Sequence, residues 1–162
     1  MEAEFNFNGA ALGARLAQRG QTLAVAESSA GGLINATLVA VPGASAWYLG
    51  GCVIYTAASR EGLLGIAPGD MAGMRSASEP FAQLLARRVR EKLGATWGLA
   101  ETGASGPTGN RYGDPAGHAC IAVSGPVEAV VTLRTGSAER EENMRRFTQR
   151  ALELLEACLR RE

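Results

Sequence analysis

The sequence predicts an α/β fold with a mixed sheet, on three observations. Short apolar runs bounded by polar residues or glycine alternate with stretches whose apolar residues recur at helical spacing. The stretch Ala26-Glu27-Ser28-Ser29-Ala30-Gly31-Gly32 joins one such run, Leu23 to Ala26, to a helical pattern, as strand-turn-helix units do. Two later runs, His118 to Val123 and Val127 to Leu133, flank Gly125-Pro126 as the arms of a hairpin would, which makes the sheet mixed.

In order, Gly9 to Gln18 reads as a helix with Leu12 and Leu16 on one face, stopped by Gly20. The strand Leu23 to Ala26 and the serine turn follow, and Leu33, Ala36, Thr37 and Ala40 then recur at helical spacing. Pro42-Gly43 marks a turn, and Trp47-Tyr48-Leu49 leads through Gly50-Gly51 into a strand, Cys52 to Tyr55, with Tyr55 at its carboxyl end. Thr56 is placed to cap a short helix carrying Arg60, Leu63 and Leu64, and Gly65 to Arg75 reads as a loop without evident chemistry. Ser78-Glu79-Pro80 opens a helix whose Phe81, Leu85, Val89 and Leu93 face the core, with Gly94 as its stop. Thr96 to Thr102 is a strand entering a long glycine-rich loop, Gly103 to Gly117. A final helix carries Met144, Phe147, Ala151, Leu154 and Cys158 as its apolar stripe, while Arg145, Arg146, Arg150, Arg160 and Arg161 mostly solvate the other face.

Composition narrows the function classes. The 162 residues are one domain's worth of chain, so residues 1–162 are expected to form a single domain. Sixteen basic and sixteen acidic side chains balance, which argues against nucleic acid or a membrane surface as partner. The acidic start, Met1-Glu2-Ala3-Glu4, lacks the layout of a signal peptide and no apolar run approaches spanning length, so a cytoplasmic protein is expected. Three widely separated cysteines, Cys52, Cys120 and Cys158, and the single His118 offer neither a disulfide framework nor a metal set. They are expected in the core, and His118 as a hydrogen-bonded structural histidine.

Candidate chemistry concentrates in three places. Ser28 and Ser29 can supply a hydroxyl nucleophile, with Gly31 and Gly32 bringing backbone donors near, although a serine before Gly-Gly also serves as plain turn and cap chemistry. Tyr55 and Arg60 can share one pocket, where a cation favours the ionised phenol, or can be an edge packing residue and a solvated charge. Ser105, Gly106 and Asn110 can form a nest for phosphate or amide, or simply a flexible loop. Glu27 orients the nucleophile or caps the following helix.

Several separated stretches, in order, resemble the CinA C-terminal domain family, also found standing alone as nicotinamide-nucleotide amidohydrolase. Its opening A-E-S-C-T-G-G is similar to Ala26-Glu27-Ser28-Ser29-Ala30-Gly31-Gly32, its V-P-G-[AS]-S to Val41-Pro42-Gly43-Ala44-Ser45, and its G-G-x-V-x-Y to Gly50-Gly51-Cys52-Val53-Ile54-Tyr55. Its V-S-E resembles Ala77-Ser78-Glu79, its G-x-A-G-P-x-G resembles Gly103 to Gly109, and its P-x-G resembles Pro115-Ala116-Gly117. The resemblance implies a three-layer α/β/α sandwich, often oligomeric, without metal or other cofactor. Catalytic members hydrolyse the carboxamide of nicotinamide mononucleotide to the acid and ammonia, and the implied partner is therefore a small nucleotide. It also implies Ser28 as nucleophile and Tyr55 as its helper.

The departures are specific. Arg60 stands where the family has a catalytic lysine, and arginine stays protonated, so it cannot be the general base. Ser29 and Ala30 replace the family's Cys-Thr, and the G-D-R pattern near the last helix becomes Gly136-Ser137-Ala138-Glu139-Arg140, with Arg140 as the phosphate-site candidate. Two functions follow. In the first, an amidohydrolase, Ser28 attacks the carboxamide, Tyr55 relays the proton and Arg60 holds Tyr55 ionised or stabilises the developing charge, with an oxyanion site at the amides of Gly31, Gly32 or Gly106. In the second, a nucleotide-binding or regulatory homologue, no base is left to activate Ser28. The CinA name suggests DNA uptake, which this composition does not support.

Overall fold

The computed structural model describes residues 9–162; the N-terminal stretch read for a leader lies outside the described residues. Five strands form one sheet in the order β2-β1-β3-β4-β5: β1 (Leu23–Glu27), β2 (Tyr48–Val53), β3 (Trp97–Ala104), β4 (His118–Ser124) and β5 (Ala129–Arg134). β1 pairs in parallel with both β2 and β3, and β4 runs antiparallel to β3 and β5, so the sheet is mixed as expected.

The helices cover both faces. On one side α1 (Gly9–Gln18), α2 (Leu33–Val39) and α5 (Arg140–Arg160) bury Leu12, Leu16, Ile34, Leu38, Phe147 and Leu155 against Val25, Leu99 and Ile121 of the sheet. On the other, α4 (Glu79–Leu93) and the end of α3 (Ala57–Leu64) bury Phe81, Leu85, Val89 and Leu64 against Ala24, Ala26, Ala100 and Ala122. That alternation explains the burial of β1, β4 and the first six residues of β3, whose side chains point into a packed helical layer whichever way they face. The result is the three-layer sandwich.

Caps set the helix ends where side-chain chemistry asks for them. Thr56 Oγ1 accepts from Ser59 N and Ser59 Oγ from Thr56 N, a reciprocal cap that starts α3. Ser78 Oγ caps α4 with Pro80 in its first turn, and Gly94 ends it at φ 65°.

Four local expectations need correction. α2 buries Ile34 and Leu38, not the row through Leu33, Ala36, Thr37 and Ala40, because a seven-residue helix meets the sheet along one narrow line. Leu93 is 43% exposed, since α4 outruns the sheet at its last turn. β2 begins at Tyr48, contains both glycines and ends at Val53, so Tyr55 follows the strand rather than closing it. Gly65 to Arg75 contains a single 3-10 turn, Pro68–Met71.

Gly51 shows why the strand keeps its glycine. A Cβ there would lie 2.1 Å from Val25 O and 2.3 Å from Asn35 Oδ1, so β2 can approach β1 and α2 only without a side chain. Gly51→Ala is expected to cost about 3 kcal/mol in denaturant unfolding, whereas Gly62→Ala, where a Cβ meets nothing within 4 Å, should be neutral or stabilising.

Candidate active site

The chain leaves β1 for α2 on one side of β1 and later enters β3 on its other side, so the carboxyl ends of β1 and β3 diverge into a crevice. Ser28 to Gly32 follows β1 and Ser105 to Gly109 follows β3. β5 runs the same way as β3, because both are antiparallel to β4, and its exit at Arg134 therefore delivers the start of α5, with Arg140, to the same edge.

The serine turn is held from below by two carboxylates. Glu27 is fully buried, and both of its oxygens are taken by α2: Oε1 accepts from Gly32 N at 2.8 Å and Ile34 N at 3.2 Å, and Oε2 from Asn35 N at 2.8 Å and Asn35 Nδ2 at 2.7 Å. Burial raises its pKa against the pull of those donors. Glu27 thus closes the helix N-terminus, the capping role weighed above.

Glu101, on β3, was not singled out in the sequence. It is fully buried, accepts from Ser29 Oγ at 2.6 Å and Ala30 N at 2.7 Å, and meets Ser28 N at 3.3 Å. Burial is the largest influence and pushes its pKa to about 7, with Glu27's charge adding to the rise and the Ser29 and Ala30 donors opposing it. Ser29 is committed to this contact, whereas Ser28 Oγ has no hydrogen bond to protein among the described residues.

The cleft has two lobes that share Tyr55, Gly103 and Asn110. The first, about 280 Å³, is lined by Ser29, Tyr55, Ser105, Gly106, Thr108, Gly109 and Arg140 among others. The second, about 390 Å³, is lined by Ser28, Tyr55, Arg60, Phe81, Arg111 and Tyr112 among others. Among the described residues no aspartate or glutamate lines either lobe.

Arg140 reaches across the first lobe, donating through Nη1 to Gly106 O at 2.5 Å and through Nη2 to Tyr55 Oη at 3.0 Å. The guanidinium beside Tyr55 is therefore Arg140 and not Arg60. Arg60 Nη1 instead donates to Ser76 Oγ at 3.0 Å, and its guanidinium lies over Phe81, 5.5 Å from the ring centre, so these two contacts hold it in the second lobe.

The glycine amides are also redistributed. Gly31 N donates to Ser28 O and Gly32 N to Glu27, so neither is free for a developing oxyanion. Ser105, Gly106, Thr108 and Gly109 line the first lobe, and their backbone amides make no hydrogen bond to protein among the described residues. Gly106, at φ 111°, permits this path, since a Cβ there would meet Ala138 O at 2.7 Å.

The long loop is ordered by polar contacts. Asn110 Oδ1 accepts from Tyr112 N and Asp114 N, and its Nδ2 donates to Asp114 Oδ2 at 2.8 Å, so its side chain shapes the loop from within. Arg75, at the end of the stretch read as chemically empty, makes a two-pronged contact with Asp114 at 2.6 and 3.2 Å. Burial would raise the Asp114 carboxyl, but Arg75, Asn110 and the nearby His118 outweigh it and hold it below its ordinary range. Asn143 of α5 donates to Ser105 O at 2.9 Å and Ser137 O at 2.8 Å, pinning the first lobe to the helix.

His118 Nε2 donates to Ala77 O at 2.8 Å, as a structural histidine does, while its Nδ1 is buried without a partner. Cys120 and Cys158 are buried, Cys52 is partly so, and burial raises all three thiols. Among the described residues no helix is long and apolar enough to cross a membrane.

These features define an α/β protein with a two-lobed, positively charged crevice at the switch point of its sheet and a serine turn at the floor. The family model of the CinA C-terminal domain matches residues 8–159, and the chain belongs to that family. It is 40% identical over 147 residues to a CinA-like protein of Anaeromyxobacter sp. (strain K), covering 91% of this chain and 36% of that protein. It is 42% identical over 144 residues to a CinA-like protein of Gloeobacter violaceus, covering 88% and 34%. The chain thus spans about a third of these relatives' length. Among solved structures, a CinA superfamily protein of Escherichia coli superposes with TM-score 0.85 at 26% identity, covering 91% of this chain and 86% of that one. A competence/damage-inducible protein of Agrobacterium tumefaciens does so with TM-score 0.81 at 27% identity, covering 96% and 98%.

Proposed function

We propose that the protein is an amidohydrolase that converts the carboxamide of a pyridine mononucleotide, nicotinamide mononucleotide or a close relative, to the acid plus ammonia. The observation that carries this reading is the pairing of an unbonded Ser28 hydroxyl in the second lobe with a phosphate-suited first lobe, Tyr55 standing between them. Arg140 and the unpartnered amides of Ser105, Gly106, Thr108 and Gly109 suit a phosphate, since backbone donors and a guanidinium both match its oxygens. Tyr55, exposed and shared by both lobes, offers ring surface for the pyridine in the other lobe.

In this reading Ser28 Oγ attacks the carboxamide carbon and its proton passes through Tyr55 to the leaving nitrogen, which departs as ammonia. Arg140 already donates to Tyr55 Oη, so the phenol's own hydrogen is directed elsewhere, a suitable setting for a relay. Arg60 is positioned in the serine's lobe to meet negative charge on the carbonyl oxygen. Water then hydrolyses the ester, the acid leaves and Ser28 regains its proton. Glu101 keeps the turn in place through Ser28 N, Ser29 Oγ and Ala30 N, a support for the attacking residue.

Arg140→Gln tests the phosphate assignment. It is expected to raise KM for nicotinamide mononucleotide about tenfold or more, with a smaller effect on the riboside, which lacks the phosphate. Equal effects on both compounds in steady-state assays of ammonia release would reject it.

A further inference from the structure

The second lobe carries more positive charge than a neutral carboxamide requires. Arg60 and Arg111 both line it, and neither has a carboxylate within 4.0 Å among the described residues. Their partners are neutral: Ser76 Oγ for Arg60, and for Arg111 the Tyr112 hydroxyl at 3.0 Å. Arg75, which stacks on the same Tyr112 ring at 5.1 Å, is already matched by Asp114. Each of these two guanidiniums also lies over an aromatic ring, Arg60 5.5 Å from the Phe81 centre and Arg111 5.1 Å from the Tyr112 centre, contacts that help hold it at the lobe before a ligand arrives. Arg111 acts on its neighbour: the Tyr112 phenol is held below its ordinary pKa, first by the Arg111 bond, against opposing burial.

An amide at this place presents one carbonyl oxygen and an NH₂ that donates. Two guanidiniums can satisfy only the oxygen. A carboxylate presents two charged acceptors and no donor, the complement that forked guanidinium groups bind best. We propose that Arg60 and Arg111 form a carboxylate subsite in the second lobe, so that the cleft binds the acid nucleotide more tightly than the amide and the reaction is restrained by its own product. This rests on the amidohydrolase reading, which places the pyridine substituent in the lobe of Ser28. The same pair favours the negatively charged tetrahedral intermediate over the neutral substrate, so tight acid binding accompanies transition-state stabilisation.

The test is calorimetric titration of the Ser28→Ala protein, which cannot turn over, with nicotinamide mononucleotide and with nicotinic acid mononucleotide. The acid is expected to bind about tenfold or more tightly than the amide. Adding Arg111→Gln, an exposed position, should remove most of that preference while leaving amide affinity within about twofold. Arg60→Gln, which also removes the group facing the carbonyl oxygen, should weaken both nucleotides, the acid by the larger factor. Progress curves of the unmodified protein with added acid should show competitive inhibition. Equal affinities, a preference for the amide, or an Arg111→Gln effect of the same size on both nucleotides would overturn the subsite. If the unmodified protein releases ammonia while the acid shows no preference, the subsite fails and the amidohydrolase reading stands. If neither nucleotide binds, both fall together.

Discussion

Ser28→Ala is expected to lower ammonia release from nicotinamide mononucleotide by about 10³-fold or more while leaving the fold and nucleotide affinity nearly unchanged. The separation follows from the geometry. Ser28 engages the protein through its backbone, the N–H toward Glu101 at 3.3 Å and the carbonyl accepting from Gly31 N at 3.0 Å, whereas the hydroxyl makes no hydrogen bond to protein among the described residues. Removing it deletes the attacking group and leaves no donor or acceptor orphaned. Ser29→Ala should behave in the opposite way: it breaks the 2.6 Å contact to Glu101 and so loosens the turn, with lost stability and a partial loss of rate. Steady-state rates, calorimetric affinity and denaturant midpoints on both variants check the contrast. A Ser28→Ala protein that turns over normally, or a Ser29→Ala protein that is silent yet fully stable, would exchange the two roles.

Glu101 gives the second large effect. Glu101→Leu orphans the Ser29 hydroxyl and the amides of Ala30 and Ser28, and is expected to cost about 3 kcal/mol or more together with most activity. Glu101→Gln keeps the shape and one acceptor and removes only the titration. The sign of the pH effect follows from linkage. The folded-state pKa is raised from 4.5 to about 7, so between those values the folded protein holds a proton that the unfolded chain has released. Stability from this group is therefore full below the unfolded pKa and is lost as pH rises through the folded one. The loss is about 3 kcal/mol by pH 8. Denaturant unfolding from pH 5 to pH 8 should show the original protein falling relative to Glu101→Gln by about that amount. Parallel stability curves would show that Glu101 does not change its proton occupancy in this range.

The fold was legible wherever a local signal and the tertiary structure agreed. α1 runs from Gly9 to Gln18 as read, Thr56 and Ser78 cap the helices they precede, and the hairpin at Gly125-Pro126 makes the sheet mixed. Errors arose where partners chose between local options. The face that α2 buries is set by the sheet it packs on, and β2 keeps Gly51 because Val25 and Asn35 crowd that position, and Gly50 because its backbone sits at φ 136°. Of the candidate site, Ser28, Tyr55, Arg60, Arg140 and the 105–110 loop do gather around one cleft. What spacing could not reveal is who meets whom. Tyr55 and Arg60 are five residues apart and do not bond, whereas Tyr55 and Arg140 are 85 apart and do, because β5 and α5 return to the same sheet edge. Glu101 left one readable trace, an acid within an otherwise apolar strand run, Trp97-Gly98-Leu99-Ala100, where burial demands donors from elsewhere.

The most direct measurement is the stoichiometry of the reaction itself: purified protein with nicotinamide mononucleotide, ammonia quantified enzymatically and the nucleotide products separated by ion exchange. One ammonia released per nicotinic acid mononucleotide formed, with the ribosyl bond and phosphate intact, is the expected result. Intact nicotinamide mononucleotide after prolonged incubation with folded protein, or cleavage at the ribosyl bond or phosphate instead, would contradict the assignment of this cleft to amide hydrolysis.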